Sequence, residues 1–161
     1  MSDQTYDEVK VRNQVALKTL DIPHAVMSAV ASFRDDFRKI VGSEPIVEVM
    51  DDATYKIATY GAGIYDIVGQ FSMVAFPGCC GIVVLYHASV ARHYTSRGLG
   101  RLFLQLRTKA AVMAGYSKAI ATAITSNKVE NTLLLSEGWK PIDIFTNSRT
   151  TNIVQIYQRE L

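Results

Sequence analysis

Apolar residues recur at intervals of three and four in three parts of the chain, and this spacing places side chains on one face of a helix. The first part lies between Asp21 and Gly42, and its apolar residues are Val26, Val30, Phe33, Phe37 and Ile40. Asp21 suits a helix cap, Pro23 is tolerated in a first turn, and Gly42 ends the pattern. We expect one helix here, with Phe33 and Phe37 in the core.

The second helical pattern covers 101–114 and stops at Gly115, a residue type that often closes helices. Its apolar face consists of Leu102, Phe103, Leu106, Ala110 and Met113. A third pattern covers 129–137 and carries three consecutive leucines. A short helix is also expected over 44–52, because Ser43 and Pro45 suit a helix start, although the β-branched residues of this segment favour a strand.

Alternating or continuously apolar runs, bounded by turn residues, predict the strands. Residues 9–20 are compatible with a first strand, and 55–59 form a second before the turn at 61–63. The further strands are expected at 67–76, 79–91, 118–124, 139–146 and 152–160. The runs up to residue 91 read as an antiparallel meander, and the last two as a hairpin around the polar loop 147–150.

The order of elements then predicts the fold class. A strand, a crossover helix and a strand imply that the strands flanking the 101–114 helix are parallel and joined with a right-handed connection. A chain of 161 residues suits one domain with one core. We therefore expect an α/β (α+β) single domain over 1–161, with a mixed, mostly antiparallel sheet of six to seven strands and about four helices.

The stretch Ala88 to Gly100 joins an apolar strand to a helix and contains the most informative polar pattern. Gly98 and Gly100 lack a Cβ, so the backbone there can take positive φ and direct several N–H groups to one point beside the positive end of the helix dipole. Such a turn can bind phosphate, although the same pattern also occurs in ligand-free turns. Neither the Gly-Lys-Ser/Thr ending of an NTPase phosphate loop nor a third dinucleotide-type glycine is present.

The stretch resembles a motif of the GNAT superfamily of acyl-CoA-dependent N-acetyltransferases, Val-x-Pro-x-x-Arg/Gln-x-x-Gly-x-Gly/Ala. Val90, Tyr94, Gly98 and Gly100 are in register, while Arg92 replaces the proline and Thr95 the Arg/Gln. A later motif of the family, an Asn followed about eleven residues on by Gly and an aromatic residue, is matched by Asn127 and Gly138-Trp139. The resemblance covers roughly residues 54 to 161.

The resemblance implies that backbone amides of the loop hold the pyrophosphate of coenzyme A, that acetyl-CoA is the co-substrate, and that the two parallel strands splay apart around the pantetheine arm. Asn127 would contact that arm, or it would simply cap the next helix. The implied cofactor-binding residues are Val90, Arg92, Ser96, Arg97, Gly98, Leu99, Gly100, Arg101 and Asn127.

The expected catalytic groups of the family are less evident here. No carboxylate lies between Cys79 and Arg97, and Leu134 occupies the position where the family usually has a tyrosine. Strand alternation places Ile82, Val84, Tyr86, Ala88 and Val90 on one face and Leu85, His87 and Ser89 on the other. Tyr86, on the implied substrate side, is the first candidate for a proton relay. His87 is the alternative, since its unperturbed pKa suits a base near neutrality.

Composition narrows the classes of protein to which the chain can belong. A hydrophobic fraction of 48% with 20% charged residues is typical of a soluble globular protein, and no apolar run is long enough to span a bilayer. The polar start offers no signal peptide, so we expect a cytoplasmic protein. The two cysteines, Cys79 and Cys80, are adjacent and fit reduced thiols. His24, His87 and His93 are scattered, so no metal site is expected.

Charge is distributed unevenly along the chain. Residues 1–91 contain 7 Lys/Arg and 11 Asp/Glu, a net −4, whereas residues 92–161 contain 10 and 4, a net +6. The proposed phosphate loop lies in the basic part, as an anionic ligand would favour. The sequence does not favour a nucleic-acid partner, because no dense basic run or basic-aromatic motif is present.

The first functional hypothesis is therefore transfer of an acetyl group from acetyl-CoA to a primary amine, on a small molecule or on a protein lysine or N-terminus. The acidic amino-terminal part would suit a cationic acceptor. The second hypothesis is a catalytically weak or inert domain of the same fold that binds acyl-CoA or a protein partner. No membrane partner is expected, and a homodimer is left open.

Overall fold

The computed structural model of the protein describes residues 20–51 and 53–161. In this part, seven strands form one sheet in the order β1-β2-β3-β4-β5-β7-β6, and four α-helices accompany them. The strands are β1 Pro45–Val49, β2 Thr54–Gly61, β3 Ile64–Ala75, β4 Ile82–Val90, β5 Lys118–Ile124, β6 Lys140–Thr146 and β7 Ile153–Glu160. The helices are α1 Ile22–Ser32, α2 Arg34–Val41, α3 Leu99–Met113 and α4 Lys128–Ser136, and a 3₁₀ turn covers Arg92–Tyr94. The mixed, mostly antiparallel sheet predicted from the sequence is confirmed.

The first helical pattern forms two helices rather than one. Asp21 caps α1 as expected, its carboxylate accepting a hydrogen bond from the His24 N–H at 2.9 Å. The helix ends at Ser32, and α2 begins after Phe33, whose φ of −100° and ψ of 10° break the helical path. Phe37 is buried, Phe33 packs against the core, and Gly42 with φ of 87° ends α2. Phe33 and Phe37 therefore both contribute to the core, as expected, although the helix is interrupted at Phe33.

The expected helix over 44–52 is wrong, because Pro45–Val49 is the edge strand β1. Its residues pair antiparallel with β2, with Val47 opposite Ile57 and Val49 opposite Tyr55. The β-branched side chains of this segment pack well on a pleated surface, and this preference outweighs the helix-start residues. The first strand expected at 9–20 falls outside the described residues except for Leu20, which lies in no strand.

The meander leads to an irregular strand. β2, β3 and β4 are antiparallel, but Ser72 pairs with Tyr86 while Gln70 pairs with Ser89. Two residues of β4, His87 and Ala88, therefore lie opposite the single residue Phe71, which is a β-bulge. The backbone of His87 has the left-handed φ of +50° that such an insertion can require.

The parallel pairing predicted around the crossover helix is confirmed, with its expected divergence. β4 and β5 pair only from Ile82 with Lys118 to Leu85 with Ala121. Beyond these residues both strands continue, but they no longer pair with each other. The space between them, at their carboxyl ends, lies beside α3 and α4.

The closing hairpin forms where it was predicted. β7 pairs with β5 from Val154 to Glu160, and β6 pairs with β7 at the edge of the sheet. Trp139 lies just before β6 and is 2% exposed. α1 and α3 pack together on one face of the sheet. There the Phe103 ring meets the Phe71 ring edge to face, with the ring centres 5.9 Å apart. No helix among residues 20–51 and 53–161 is both long and apolar enough to cross a membrane.

Candidate functional site

The glycine loop forms one wall of a cavity of about 500 Å³, which we call the loop cavity. Its lining comes from the end of β4, the loop itself, the start of α3 and one side of α4. The residues are Val90, Tyr94, Thr95, Ser96, Gly98, Leu99, Gly100, Arg101, Val129, Thr132, Leu133 and Ser136. Six of the nine residues predicted to bind the cofactor are therefore brought together here: Val90, Ser96, Gly98, Leu99, Gly100 and Arg101.

The backbone supplies the hydrogen-bond donors of the loop cavity. Gly98 has φ of 88° and occupies the N-cap position of α3, so no side chain caps the first N–H groups of this helix. The first backbone bond of the helix runs from the Leu102 N–H to the Gly98 carbonyl at 3.1 Å. The N–H groups of Leu99, Gly100 and Arg101 therefore have no acceptor within the helix, and they lie at the positive end of its dipole. This end of the cavity suits an anion.

Only one of the two loop glycines takes the left-handed conformation. Gly98 has positive φ, whereas Gly100 is the second residue of α3 and does not have positive φ. A Cβ on Gly100 would meet Leu133 at an ordinary 3.8 Å, so the protein itself leaves room for a side chain. Since Gly100 lines the cavity, the missing Cβ keeps space open for a ligand rather than for the turn.

Three arginines surround the loop, but they differ in what they contact. Arg101 donates to the Glu137 carboxylate and, at 3.3 Å, to the Ser136 hydroxyl, which ties the start of α3 to the end of α4. The Arg97 guanidinium lies over the Tyr94 ring, 5.5 Å from its centre. Arg92, in the 3₁₀ turn, and Arg97 are not among the lining residues. Their cofactor contacts stay predictions.

A cluster of three side chains holds the 3₁₀ turn against β3. The Asp66 carboxylate accepts hydrogen bonds from the Tyr94 hydroxyl at 2.7 Å and from the His93 ring at 2.9 Å. These bonds, that of Tyr94 first, lower the pKa of Asp66 below its ordinary value. The cluster fixes where the loop leaves the sheet.

A second cavity, of about 180 Å³, continues from the first, and we call it the inner cavity. It lies between the end of β4, α3 and the start of α4. Its lining residues are Ala88, Ser89, Val90, Gly100, Phe103, Leu104, Arg107, Asn127, Val129, Glu130, Leu133 and Leu134. Four of them, Val90, Gly100, Val129 and Leu133, also line the loop cavity, so an elongated ligand can occupy both.

Arg107 is the most unusual residue of the inner cavity. Its side chain is buried, with 6% of the residue exposed, and burial lowers its pKa to about 10. The guanidinium makes one long hydrogen bond, from Nε to the Phe103 carbonyl at 3.4 Å, and lies 5.7 Å from the centre of the Phe71 ring. Its Nη groups donate to no other described residue. At neutral pH it is a buried cation facing a cavity.

Glu130 supplies the opposite charge. It is half-buried, and burial raises the pKa of its carboxyl group, whereas the nearby charge of Arg107 lowers it. One carboxylate oxygen accepts a hydrogen bond from the Asn127 side-chain amide at 3.1 Å. Arg107 and Glu130 form no direct salt bridge, since none within 4.0 Å joins them. The inner cavity therefore holds one hydrogen-bond donor of positive charge, Arg107, and one acceptor of opposite charge, Glu130.

Asn127 lines the inner cavity and caps α4 at the same time. Its side-chain oxygen accepts from the Glu130 N–H at 3.2 Å, as a helix cap does. The two roles that the sequence left open are therefore compatible in one position. Its contact with a cofactor stays a prediction.

The two candidate catalytic residues of β4 lie outside both cavities. Their rings contact each other with centres 4.8 Å apart. The bulge also overturns the predicted alternation: Val90 pairs with Gly69 and Leu85 with Met73, so these two share a face, while Tyr86 and Ser89 share the other. Alternation fails because the extra residue shifts the strand by one position. Their catalytic roles stay predictions.

Sequence reasoning missed Arg107 and Glu130. Leu104 follows Gly100 by four residues and Arg107 follows Leu104 by three, so the helical period could have placed Arg107 on the cavity side of α3. Glu130 is three residues after the capping Asn127, the position where a Glu commonly supports a helix start. Nothing in the sequence indicates that the two side chains face the same space.

Comparison with known proteins gives the fold a name. No known protein-family profile matches the sequence, and no curated protein sequence matches it. Solved structures do match. A GNAT-family protein from Desulfovibrio desulfuricans has a TM-score of 0.57 at 20% identity, over 67% of this chain and 69% of that chain.

Two further structures agree with this match. An IAA acetyltransferase from Bacillus cereus has a TM-score of 0.58 at 16% identity, over 67% of this chain and 77% of that one. A GNAT-family acetyltransferase from Elizabethkingia anophelis, solved with acetyl-CoA bound, has a TM-score of 0.57 at 16% identity, over 68% and 77%. The protein has the GNAT fold, as the resemblance implied.

Proposed function

We propose that this protein is an acyl-CoA-dependent N-acetyltransferase that moves an acetyl group from acetyl-CoA to a primary amine. The observation that carries the proposal is the pair of joined cavities at the point where β4 and β5 diverge. One end offers free backbone N–H groups at a helix start, and the other narrows between side chains. A single GNAT-like domain over 1–161 is part of this proposal.

The loop cavity would hold the pyrophosphate of coenzyme A, and the inner cavity its thioester end. The N–H groups of Leu99 to Arg101 would provide donors for phosphate oxygens, and the missing Cβ of Gly100, which lines both cavities, would leave room for the chain of the cofactor. When bound, acetyl-CoA supplies the activated acyl group, so the protein mainly positions it. The opposite charges of Arg107 and Glu130 leave the inner cavity neutral overall, which suits an uncharged acyl group.

The acceptor is proposed as an amine, small molecule or protein, and a cationic one is favoured by the acidic residues of the amino-terminal part. The second candidate is a domain that binds acyl-CoA without catalysis. The position of Tyr86 and His87 outside both cavities favours this second candidate, whereas Glu130 in the inner cavity favours the enzyme.

Titration calorimetry and thermal unfolding with acetyl-CoA test the proposal first. Acetyl-CoA should bind and should stabilise the fold by about 2.7 kcal/mol at a hundred times its dissociation constant. Succinyl-CoA, which adds a carboxylate at the acyl end, should bind more weakly than acetyl-CoA. The absence of any binding at millimolar acetyl-CoA would refute both candidates.

Release of free CoA then separates the enzyme from the binding domain. Spermidine and a lysine-containing peptide serve as acceptors, with thiol release followed by a colorimetric reagent and acetylation by mass spectrometry. The enzyme should release CoA in proportion to acetylated amine. Tight binding of acetyl-CoA without transfer to any amine of a broad panel would support the second candidate instead.

A further inference from the structure

We propose that Glu130 is the proton-transfer residue of this reaction, a carboxylate on α4 that takes a proton from the attacking amine and passes it to the departing thiolate. This inference rests on the proposed function, and it assigns the step to a helix rather than to β4. It replaces Tyr86 and His87 as the first candidates for the role.

Position is the first argument. Glu130 is the only Asp or Glu among the described residues that line the two joined cavities. It lines the inner cavity, beyond the loop where the pyrophosphate would bind, and therefore lies toward the thioester end of the ligand. β4, which forms the opposite wall, carries no carboxylate anywhere along its length.

The surroundings of the carboxylate give the second argument. Burial disfavours its charged form, while Arg107 on α3 faces the same cavity and favours that form. From β7, the Tyr157 hydroxyl donates to the side-chain oxygen of Asn131. Burial, and after it the charge of Glu130, raises the pKa of this tyrosine. Asn127 and Asn131 are neutral. Burial and the charge of Arg107 thus act on the Glu130 pKa in opposite directions, and burial, the larger effect, raises it. A carboxyl group with a raised pKa takes up a proton more readily than one in water, and it can return that proton in a later step.

The chemistry balances with the groups already named. The amine nitrogen bonds to the carbonyl carbon of the thioester, and the bond between that carbon and sulfur breaks. Glu130 takes the proton that the nitrogen loses and gives it to the thiolate sulfur. The products are an amide and free CoA, and Glu130 returns to its carboxylate form. Arg107 is a positioning residue, since it acts through the charge of Glu130.

A structural role must be separated from this catalytic one, because Glu130 also supports the start of α4 through Asn127. Glu130→Gln suits this purpose, since the amide oxygen still accepts the hydrogen bond but the side chain cannot take up a proton. We expect its turnover to fall by about a hundredfold or more, with the acetyl-CoA dissociation constant and the melting temperature unchanged. Glu160→Gln is the control, because Glu160 pairs with Lys118 and lies outside both cavities.

The pH dependence of turnover gives a readout that a structural role would not move. Activity requires the ionised carboxylate, so the rate of the wild type should fall as the pH drops through the pKa of Glu130, which burial raises. Glu130→Gln should lose this acidic limb. Arg107→Met removes the charge that lowers this pKa, so its acidic limb should move to higher pH.

Tyr86→Phe is the competing variant. A tenfold or greater loss of turnover in Tyr86→Phe, with Glu130→Gln near the wild-type rate, would overturn this inference and leave the proposed function intact. Persistence of the acidic limb in Glu130→Gln would overturn it as well. If Glu130→Gln does not fold, Arg107→Met still tests the inference. An acidic limb of the pH–rate profile at the wild-type position in Arg107→Met would contradict it. Failure of the wild type to bind acetyl-CoA or to acetylate any amine overturns the proposed function, and this inference with it.

Discussion

The loop cavity and the inner cavity are neighbours that share four lining residues, yet different parts of the chain build them. The backbone N–H donors of the loop cavity belong to one continuous stretch, from Leu99 to Arg101. The polar groups of the inner cavity are side chains from two helices, Arg107 on α3 and Asn127 and Glu130 at the start of α4. A site made by backbone depends on local conformation, whereas a site made by distant side chains depends on packing.

The difference extends to what each cavity selects. Backbone N–H groups at a helix start favour an anion of almost any shape, so the loop cavity recognises charge. The inner cavity sets the buried cation Arg107 against the half-buried carboxylate Glu130, so a charged group entering it would face both signs of charge. In the proposed function, binding therefore belongs mainly to the loop cavity and chemistry to the inner cavity, and substitutions in the two cavities should have different effects.

The largest effect is expected in the loop cavity. Gly98→Asp places a Cβ at φ of 88° and a negative charge beside the proposed phosphate site, and it should weaken acetyl-CoA binding by more than about a hundredfold. Calorimetric titration measures this. Gly63→Asp is a matched control, because Gly63 also has positive φ, at 76°, with open space around it, but lies in the β2–β3 turn. Equal weakening in both variants would mean that strain, not the phosphate site, is responsible.

A second substitution should act on the inner cavity through packing alone. A Cβ on Gly69 would lie 2.3 Å from the Ser89 carbonyl oxygen and 2.6 Å from the Phe103 ring, two residues that line this cavity. Gly69→Ala should lower the free energy of unfolding by about 1–3 kcal/mol in urea. Gly61→Ala is the control, since its Cβ would approach nothing nearer than 3.4 Å. An unchanged stability for Gly69→Ala would show that the bulge of β4 relaxes freely.

The smallest effect separates the two roles of Asn127. Asn127→Ala removes the cap of α4 and the contact with Glu130, and should cost about 1 kcal/mol of stability together with some affinity for acetyl-CoA. Asn127→Ser keeps a capping oxygen but lacks the amide, so it should recover the stability without the affinity. Thermal unfolding and calorimetry give the two quantities. Full recovery of both by Ser would assign Asn127 to the helix cap only.

Several features of the fold were readable because their causes are local. The cap by Asp21, the end of α2 at Gly42 and the positive φ of Gly98 follow from what each residue type allows in its own backbone. The parallel pairing of β4 and β5 follows from the order strand, helix, strand. The segment at 45–49 was misjudged because its helix-start residues and β-branched residues conflict, and pairing with β2 decided the outcome.

The sequence by itself determined the glycine loop, the helix that follows it and the resemblance that gave the fold, since all of these depend on neighbours in the chain. Only the tertiary structure decided where β4 bulges, because the extra residue at His87 and Ala88 is defined against β3. It also decided that Arg107 and Glu130, 23 positions apart in the sequence, face one cavity. Their position on one cavity depends on how α3 and α4 pack over the diverging strands. No local rule of helix or strand formation contains that information.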